Sequence, residues 1–210
     1  MKWFLALMSG LVVAASPVQA AGLAPDALVK RVTHEVLAVV RRDKEIRNGN
    51  AERAIELVQA QVLPHFDFTQ MTALAVGRYW RRATAAQRKA LTDEFRTLLV
   101  RTYATALTQY RNQTIEYLPF RRRPSDTDVT VRTRIKQPGA ESIELDYSLE
   151  KVGAEWKVYD IAVDGVSLVT NYRDEFGRQI SQSGIAGLIA QLRIKNKAGK
   201  TAAATPSSGG

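Results

Sequence analysis

Residues 128–163, DVTVRTRIKQPGAESIELDYSLEKVGAEWKVYDIAV, alternate between apolar and polar side chains over most of their length. This period of two is typical of β-strands with one buried face and one solvated face. Gln137-Pro138-Gly139 and Gly153-Ala154 interrupt the alternation and predict hairpin turns. Together with an earlier short run at Ile115 and Tyr117, the pattern predicts four strands in an antiparallel sheet whose apolar face must be covered.

Helical patterns lie on both sides of this stretch. Thr84 and Gln87 form a capping box that opens a long amphipathic helix, which we expect to continue to about Arg111. The spacing of apolar residues predicts further helices at Pro25 to about Arg47, Ala51 to Val62, Thr69 to Val76, Leu168 to Ile180, and Ser183 or Gly184 to Ile194. The helices before Thr84 are predicted to form a helical annex over about residues 25–83. A long apolar helix that faces long strands favours an apolar cleft between the two layers.

Both ends of the chain differ in composition from its middle. Residues 1–20 contain Lys2, an apolar run and a small-residue cleavage pattern at Val18-Gln19-Ala20, which predicts a secretory signal peptide. The run is shorter than the roughly 20 residues of a membrane-spanning helix, so we expect no transmembrane segment in the mature chain. Residues 195–210 are small, polar or basic and predict a disordered tail. Residues 21–194 are then expected to form a single domain.

Composition excludes several classes of site. The chain has 30 Lys and Arg against 21 Asp and Glu, a formal net charge of +9, but an exported protein does not meet chromosomal DNA, so we expect no nucleic-acid partner. It has no cysteine and two histidines far apart in sequence, His34 and His65, which argues against disulfides and metal sites.

Evidence for catalysis is weak in this sequence. His65 with Asp67 two residues later, and Asp160 near the end of the last long strand, are the titratable groups nearest to apolar runs. No nucleotide-binding or acyl-enzyme motif accompanies them. We therefore predict that the protein is not an enzyme. Two alternatives stay open: an enzyme with a titratable group inside the cleft, and an adaptor that binds a partner through its basic surface and holds no ligand.

Three segments together resemble the MlaC family, the periplasmic phospholipid-binding proteins also known as toluene-tolerance or ABC-transporter auxiliary proteins. They are WKVYDIAVDGVSLVTNYRDEF at residues 156–176, VLPHFDFTQMTALAVGRYWRRAT at residues 62–84, and TDEFRTLLVRTYATALTQYR at residues 92–111. The resemblance extends from about Pro25 to Leu192 and keeps the order of these blocks.

The resemblance implies a fold and a function. The implied fold is α+β and NTF2-like, with helices that cup a curved four-stranded antiparallel sheet and acyl chains inserted between the layers. The implied function is a periplasmic carrier that hydrolyses nothing, needs no cofactor and holds a diacyl phospholipid as cargo. Its implied partners are an outer-membrane lipoprotein–porin complex and the inner-membrane Mla ABC transporter complex. A paralogous branch is associated with hopanoids, so a hopanoid or another polycyclic lipid is the alternative cargo.

The candidate lipid-binding residues come from two arguments. Matching positions in the resembling segments implies that Leu74, Leu99, Tyr103, Val166 and Leu168 contact the lipid. Strand parity adds the residues expected on the covered face of the sheet. These are Val131, Ile143, Leu145, Tyr147, Ile161 and Val163.

Overall fold

The computed structural model describes residues 22–204, so the predicted signal peptide and residues 205–210 lie outside the described residues. The fold is α+β, as predicted, with helices packed on one face of an antiparallel sheet. Its α-helices are α1 (Pro25–Arg42), α2 (Lys44–Arg47), α3 (Ala51–Gln61), α4 (Phe68–Val76), α5 (Ala85–Tyr103) and α6 (Leu168–Ala204). Three 3₁₀ segments span Leu63–His65, Gly77–Arg82 and Ala104–Gln109.

The sheet follows the order of the chain, and every neighbouring pair of strands is antiparallel. The strands are β1 (Thr114–Tyr117), β2 (Asp128–Lys136), β3 (Ile143–Val152), β4 (Glu155–Val163) and β5 (Val166–Ser167). Val129, Val131 and Thr133 of β2 are buried, and the side chains between them are exposed. Arg132 lies opposite Asp146 on the solvated face, and its Nε is 3.6 Å from Oδ2 of the carboxylate. The predicted alternation of a wet and a covered face is therefore confirmed.

One strand more is present than the sequence predicted. Asp164 and Gly165 both have positive φ, of 48° and 79°, and join β4 to the two-residue strand β5, in which Val166 pairs with Val163. An Asp-Gly pair is a favoured two-residue hairpin turn because both positions tolerate a left-handed backbone. The predicted count of four strands was therefore one too low, since two residues are too few to produce a periodic signal.

The long helix starts as predicted and ends earlier. The Thr84 side chain accepts from the backbone N–H of Gln87 and the Gln87 side chain accepts from that of Thr84, so the capping box is confirmed. The α-helix ends at Tyr103 rather than near Arg111, and the chain continues as a 3₁₀ segment to Gln109. At 1.5 Å per residue, α5 is about 28 Å long.

The N-terminal helices, predicted as a helical annex, contact the sheet directly. The first predicted helix is broken at Asp43, whose carboxylate accepts from the backbone N–H groups of Glu45 and Ile46 and so caps α2. Leu28 and Val29 of α1 are buried against the sheet. Their apolar cluster includes Val129, Val131, Leu149, Trp156 and Val158. Helix α1 therefore supplies part of the cover that the apolar face of the sheet requires.

The C-terminal helix extends beyond its predicted end. A break at Gly184, with φ 70° and ψ 177°, divides α6 into two helical parts at the predicted boundary. The second part continues to Ala204, so the prediction of a disordered tail from residue 195 was wrong for residues 195–204. Asn196 is buried and donates to the backbone oxygen of Glu94 at 3.0 Å and to its carboxylate at 2.9 Å. A polar composition did not prevent this helix because it packs against α5.

The largest apolar cluster holds α4, α5 and α6 together. Phe95 of α5 lies at its centre, with the rings of Tyr172 and Phe176 of α6 each 5.1 Å away in edge-to-face contact. This packing leaves the other side of α5 free to face the sheet. None of the helices within residues 22–204 has the length and apolar character that crossing a membrane requires.

Candidate functional site

A deep cavity of about 530 Å³ lies between α5, α1 and the covered face of the sheet. Its volume is within the roughly 300–1,000 Å³ of typical ligand pockets. Three walls are mainly aliphatic and aromatic. The helix wall is formed by Leu99, Val100, Tyr103, Ala104, Ala106, Leu107 and Tyr110, the α1 wall by Leu28, Val29, Val32, Val36 and Leu37, and the sheet wall by Ile115, Ile135, Ile143, Leu145, Tyr147, Val158 and Ile161.

The mouth of the cavity is bordered by the end of α5 and the 3₁₀ segment that follows it. Tyr103, Ala106 and Gln109 all line the cavity and are all exposed, whereas Leu99 and Val100 nearer the start of the helix are buried. Because a 3₁₀ helix has three residues per turn, side chains three apart lie above one another. The change from α to 3₁₀ geometry therefore aligns these three side chains in one ridge along the opening.

The polar groups of the cavity wall are few. Gln109 lines it at the end of the 3₁₀ segment, Gln113 just before β1 and Gln137 just after β2. The Tyr110 hydroxyl accepts hydrogen bonds from the Arg41 guanidinium at 2.8 and 3.1 Å. The Tyr110 hydroxyl in turn donates to the backbone oxygen of Gln113 at 3.0 Å. Among the described residues that line the cavity there is no Asp, Glu, Lys or Arg.

His65 lies in the wall of the cavity and is half-buried. Burial, reinforced by the positive charges of Arg31 and Lys157, lowers the pKa of His65 below its ordinary value of 6.5. Its imidazole is therefore neutral at neutral pH. Burial also raises the pKa of Tyr147 on the sheet wall, which keeps its phenol protonated. Both groups add hydrogen-bonding capacity to the cavity without adding charge.

The two carboxylates near apolar runs that the sequence offered as candidates for catalysis, Asp67 and Asp160, have structural roles. Asp67 accepts from the backbone N–H of Gln70 at 2.8 Å and caps α4, so it does not orient His65. Asp160 accepts from the backbone N–H of Val169 at 3.2 Å at the start of α6 and does not line the cavity. Within residues 22–204, no three His, Asp or Glu side chains converge in a way that suits a metal ion. Among the described residues, His65 thus has no carboxylate hydrogen-bond partner.

Seven of the predicted site residues lie together in the cavity wall. They are Leu99, Tyr103, Ile143, Leu145, Tyr147, Ile161 and Leu168. Helix periodicity and strand parity converge on one space because α5 crosses the covered face of the sheet. Contact of these seven residues with a lipid stays a prediction.

The structure places the other four predicted residues elsewhere. Val131 is fully buried where α1 covers the sheet, and Val163 sits at the end of β4 beside the Asp164–Gly165 turn. Val166 is 59% exposed, and Leu74 lines a separate groove and not the cavity, which Met71, one turn earlier in α4, does line. Parity gives the face of a strand but not the position along it where the cavity begins and ends.

Sequence reasoning missed the contribution of the N-terminal helices. The spacing of Leu28, Val32 and Val36 predicts one face of a helix but does not indicate that this face meets the sheet. Ile115 and Ile135 also line the cavity, and Ile135 has the same strand parity as Val131. Val58 and Val62, on the apolar side of the predicted helix Ala51 to Val62, also line the cavity, as do Leu63, Phe66, Phe68, Met71 and Val100.

Comparison with known proteins decides the family. A family model described as "MlaC protein" matches residues 30–194. The chain belongs to the MlaC family. Two relatives in this family are the toluene tolerance protein ttg2D of Pseudomonas putida and the intermembrane phospholipid transport system binding protein MlaC of Haemophilus influenzae. The first is 26% identical over 161 residues, covering 76% of this chain and 74% of the relative. The second is 23% identical over 198 residues, covering 91% and 92%.

A solved structure with the same fold is also similar in sequence. It is the phospholipid-binding protein from Ralstonia solanacearum, determined in complex with a phospholipid. It superimposes with a TM-score of 0.78 and 40% sequence identity, covering 83% of this chain and 98% of that one. MlaC is a family of lipid-binding transport components and not a family of enzymes.

Proposed function

We propose that this protein is a periplasmic phospholipid carrier that holds the acyl chains of a diacyl phospholipid in the cavity between α5, α1 and the sheet. The observation that carries the proposal is the cavity wall itself, which is mainly apolar and in which the described lining residues include no Asp, Glu, Lys or Arg. The phospholipid complex of the protein from Ralstonia solanacearum supports the same ligand class. The seven predicted residues in the wall are the proposed acyl contacts.

Free energy explains why so large an apolar cavity is needed. Each buried methylene contributes about 0.8 kcal/mol, and a single myristoyl-length chain gives only marginal membrane binding. A carrier that extracts a two-chain lipid from a bilayer must bury most of both acyl chains in its own apolar cavity, because the lipid loses its apolar contacts in the bilayer. Neutral His65 suits this role, because a charge buried beside the chains costs free energy.

The proposed path runs between two membranes. The carrier moves lipid between an outer-membrane lipoprotein–porin complex and the inner-membrane Mla ABC transporter complex. This transfer maintains the lipid asymmetry of the outer membrane. The naming of the relative from Haemophilus influenzae as part of an intermembrane phospholipid transport system supports this path. The carrier requires no cofactor and no catalytic residue for it.

The test compares two charge substitutions five residues apart, one in β4 and one in β5. Ile161→Glu places a carboxylate in the cavity wall, whereas Val166→Glu places one on an exposed side chain outside it. Each protein is purified from the periplasm and weighed by native mass spectrometry, and its lipid is extracted and identified. We expect stoichiometric phospholipid in the wild type and in Val166→Glu and none in Ile161→Glu. Far-UV circular dichroism and a cooperative melt establish that both variants fold.

Other outcomes identify other functions. Lipid retained in folded Ile161→Glu contradicts the assignment of the cavity. A hopanoid in the extract of the wild type identifies the polycyclic alternative. A wild-type protein that is empty and takes up no lipid from liposomes favours an adaptor without a ligand.

A further inference from the structure

A second groove lies beside the C-terminal end of α4. It has a volume of about 760 Å³ and is bounded by the end of α4, the 3₁₀ segment Gly77–Arg82 and the first half of α6. No described residue lines both spaces: Phe68 and Met71 of α4 face the cavity, and Leu74 faces the groove. The groove is therefore a separate surface feature of the fold.

Positive charge dominates the rim of this groove. Arg78, Arg173 and Arg178 line it and are exposed, and we call it the arginine groove. None of the three pairs with a carboxylate among the residues that the structure describes, and Asp174 is the single acidic side chain in the described lining. The arginines of the sheet differ in this respect, since Arg134 pairs with both Glu116 and Glu144. Charge on the sheet is neutralised internally, and charge at the groove is not.

Neutral hydrogen bonds hold the groove in shape. Arg173 donates from Nε to the backbone oxygen of Leu74 at 3.0 Å and so ties α6 to α4. The hydroxyl groups of Tyr79 and Ser181 share a hydrogen bond at 2.8 Å that joins the 3₁₀ segment to α6. Arg78 donates to the Tyr79 hydroxyl at 3.0 Å and its guanidinium lies 5.0 Å from the ring. The walls are thus preorganised, which lowers the entropic cost of binding.

The potential in the groove is positive at Tyr79 as well. The hydrogen bond that Tyr79 shares with Ser181 and the one it accepts from Arg78, together with the charges of Arg78 and Arg82, lower the pKa of its phenol. The contributions of Arg78 and Arg82 to this lowering agree with the positive charge of the groove.

We propose that the arginine groove is a docking site for an acidic segment of a partner protein. The charge of the groove complements carboxylates, and its concave form between two helices and a 3₁₀ segment fits a length of polypeptide rather than a flat lipid surface. The net charge of +9 adds long-range attraction for such a partner. Because the groove shares no residue with the cavity, docking there leaves the bound lipid in place.

The test uses a short fluorescein-labelled peptide of alternating glutamate and alanine, with binding followed by fluorescence anisotropy. The double variant Arg78→Glu/Arg178→Glu reverses two charges in the groove. The matched control Arg47→Glu/Arg121→Glu makes the same change in net charge at two exposed arginines elsewhere. We expect Kd to rise about tenfold or more in the groove variant and to change less than threefold in the control. Lipid content by native mass spectrometry should be unchanged in both variants.

Three results would overturn the proposal. Failure of the wild type to bind the peptide at low salt excludes an acidic segment. An equal loss of affinity in the two double variants assigns the binding to net charge and not to the groove. If the groove variant loses binding to vesicles of phosphatidylglycerol and phosphatidylcholine but keeps binding to the peptide, the groove contacts an anionic membrane instead.

Discussion

Among single residues, His65 links the cavity to a measurable property of the protein. Its pKa is lowered first by burial and then by Arg31 and Lys157. The unfolded chain therefore takes up a proton at this residue at a higher pH than the folded chain does. We expect the free energy of unfolding to fall as the pH drops below about 6.5, and His65→Gln to remove part of this dependence.

Guanidinium unfolding at pH 7.5 and pH 5.5, on the wild type and on His65→Gln, measures the contribution of this residue. The difference between the two pH values should be smaller in the variant. An identical pH dependence in the two proteins would mean that the imidazole titrates alike in the folded and unfolded chains.

At the level of elements, the break in α6 depends on one glycine. Gly184 has φ 70° and ψ 177°, a backbone region that is essentially limited to glycine, whereas Gly177 in the same element has ordinary helical geometry and open space for a Cβ atom. We expect Gly184→Ala to lower the free energy of unfolding by about 1–3 kcal/mol. Gly177→Ala, the matched control, should leave it unchanged or raise it by up to about 1 kcal/mol.

Denaturant unfolding of both alanine variants tests this pair. Equal stability of the two variants would show that residues beyond Gly184 adopt a continuous helix at little cost. The expected asymmetry would show that the two parts of α6 are held at this angle by the packing of both parts against α5, where Leu188, Ile189 and Leu192 are buried.

For the whole molecule, bound lipid and stability are coupled. A ligand that binds the folded chain and not the unfolded chain raises the free energy of unfolding by mass action. We expect protein delipidated by organic or detergent extraction to have a lower Tm than protein purified with its lipid, and reloading from liposomes to restore the Tm. Differential scanning fluorimetry of the three samples measures the effect. A Tm that does not respond to lipid removal would contradict binding of lipid in the core of the fold.

Local patterns predicted most of the elements correctly. The alternation in β2, β3 and β4 and the capping box at Thr84 depend on neighbours a few residues away, so the printed sequence contains them. The end of α5 at Tyr103 was not predictable in this way. The residues after it keep a helical apolar stripe, and only their packing over α3 and the cavity mouth distinguishes 3₁₀ from α geometry.

The sequence by itself determined the class of fold and the faces of its strands and helices, because these follow from residue spacing, and the resemblance of blocks such as residues 156–176 indicated the family. The tertiary structure alone decided where the cavity begins and ends. Val131 and Ile135 share a face of β2, yet α1 covers the first and the cavity opens over the second. The position of a helix across a sheet depends on contacts between residues about a hundred positions apart, such as Leu28 and Val129. The spacing of residues along the chain therefore does not predict it.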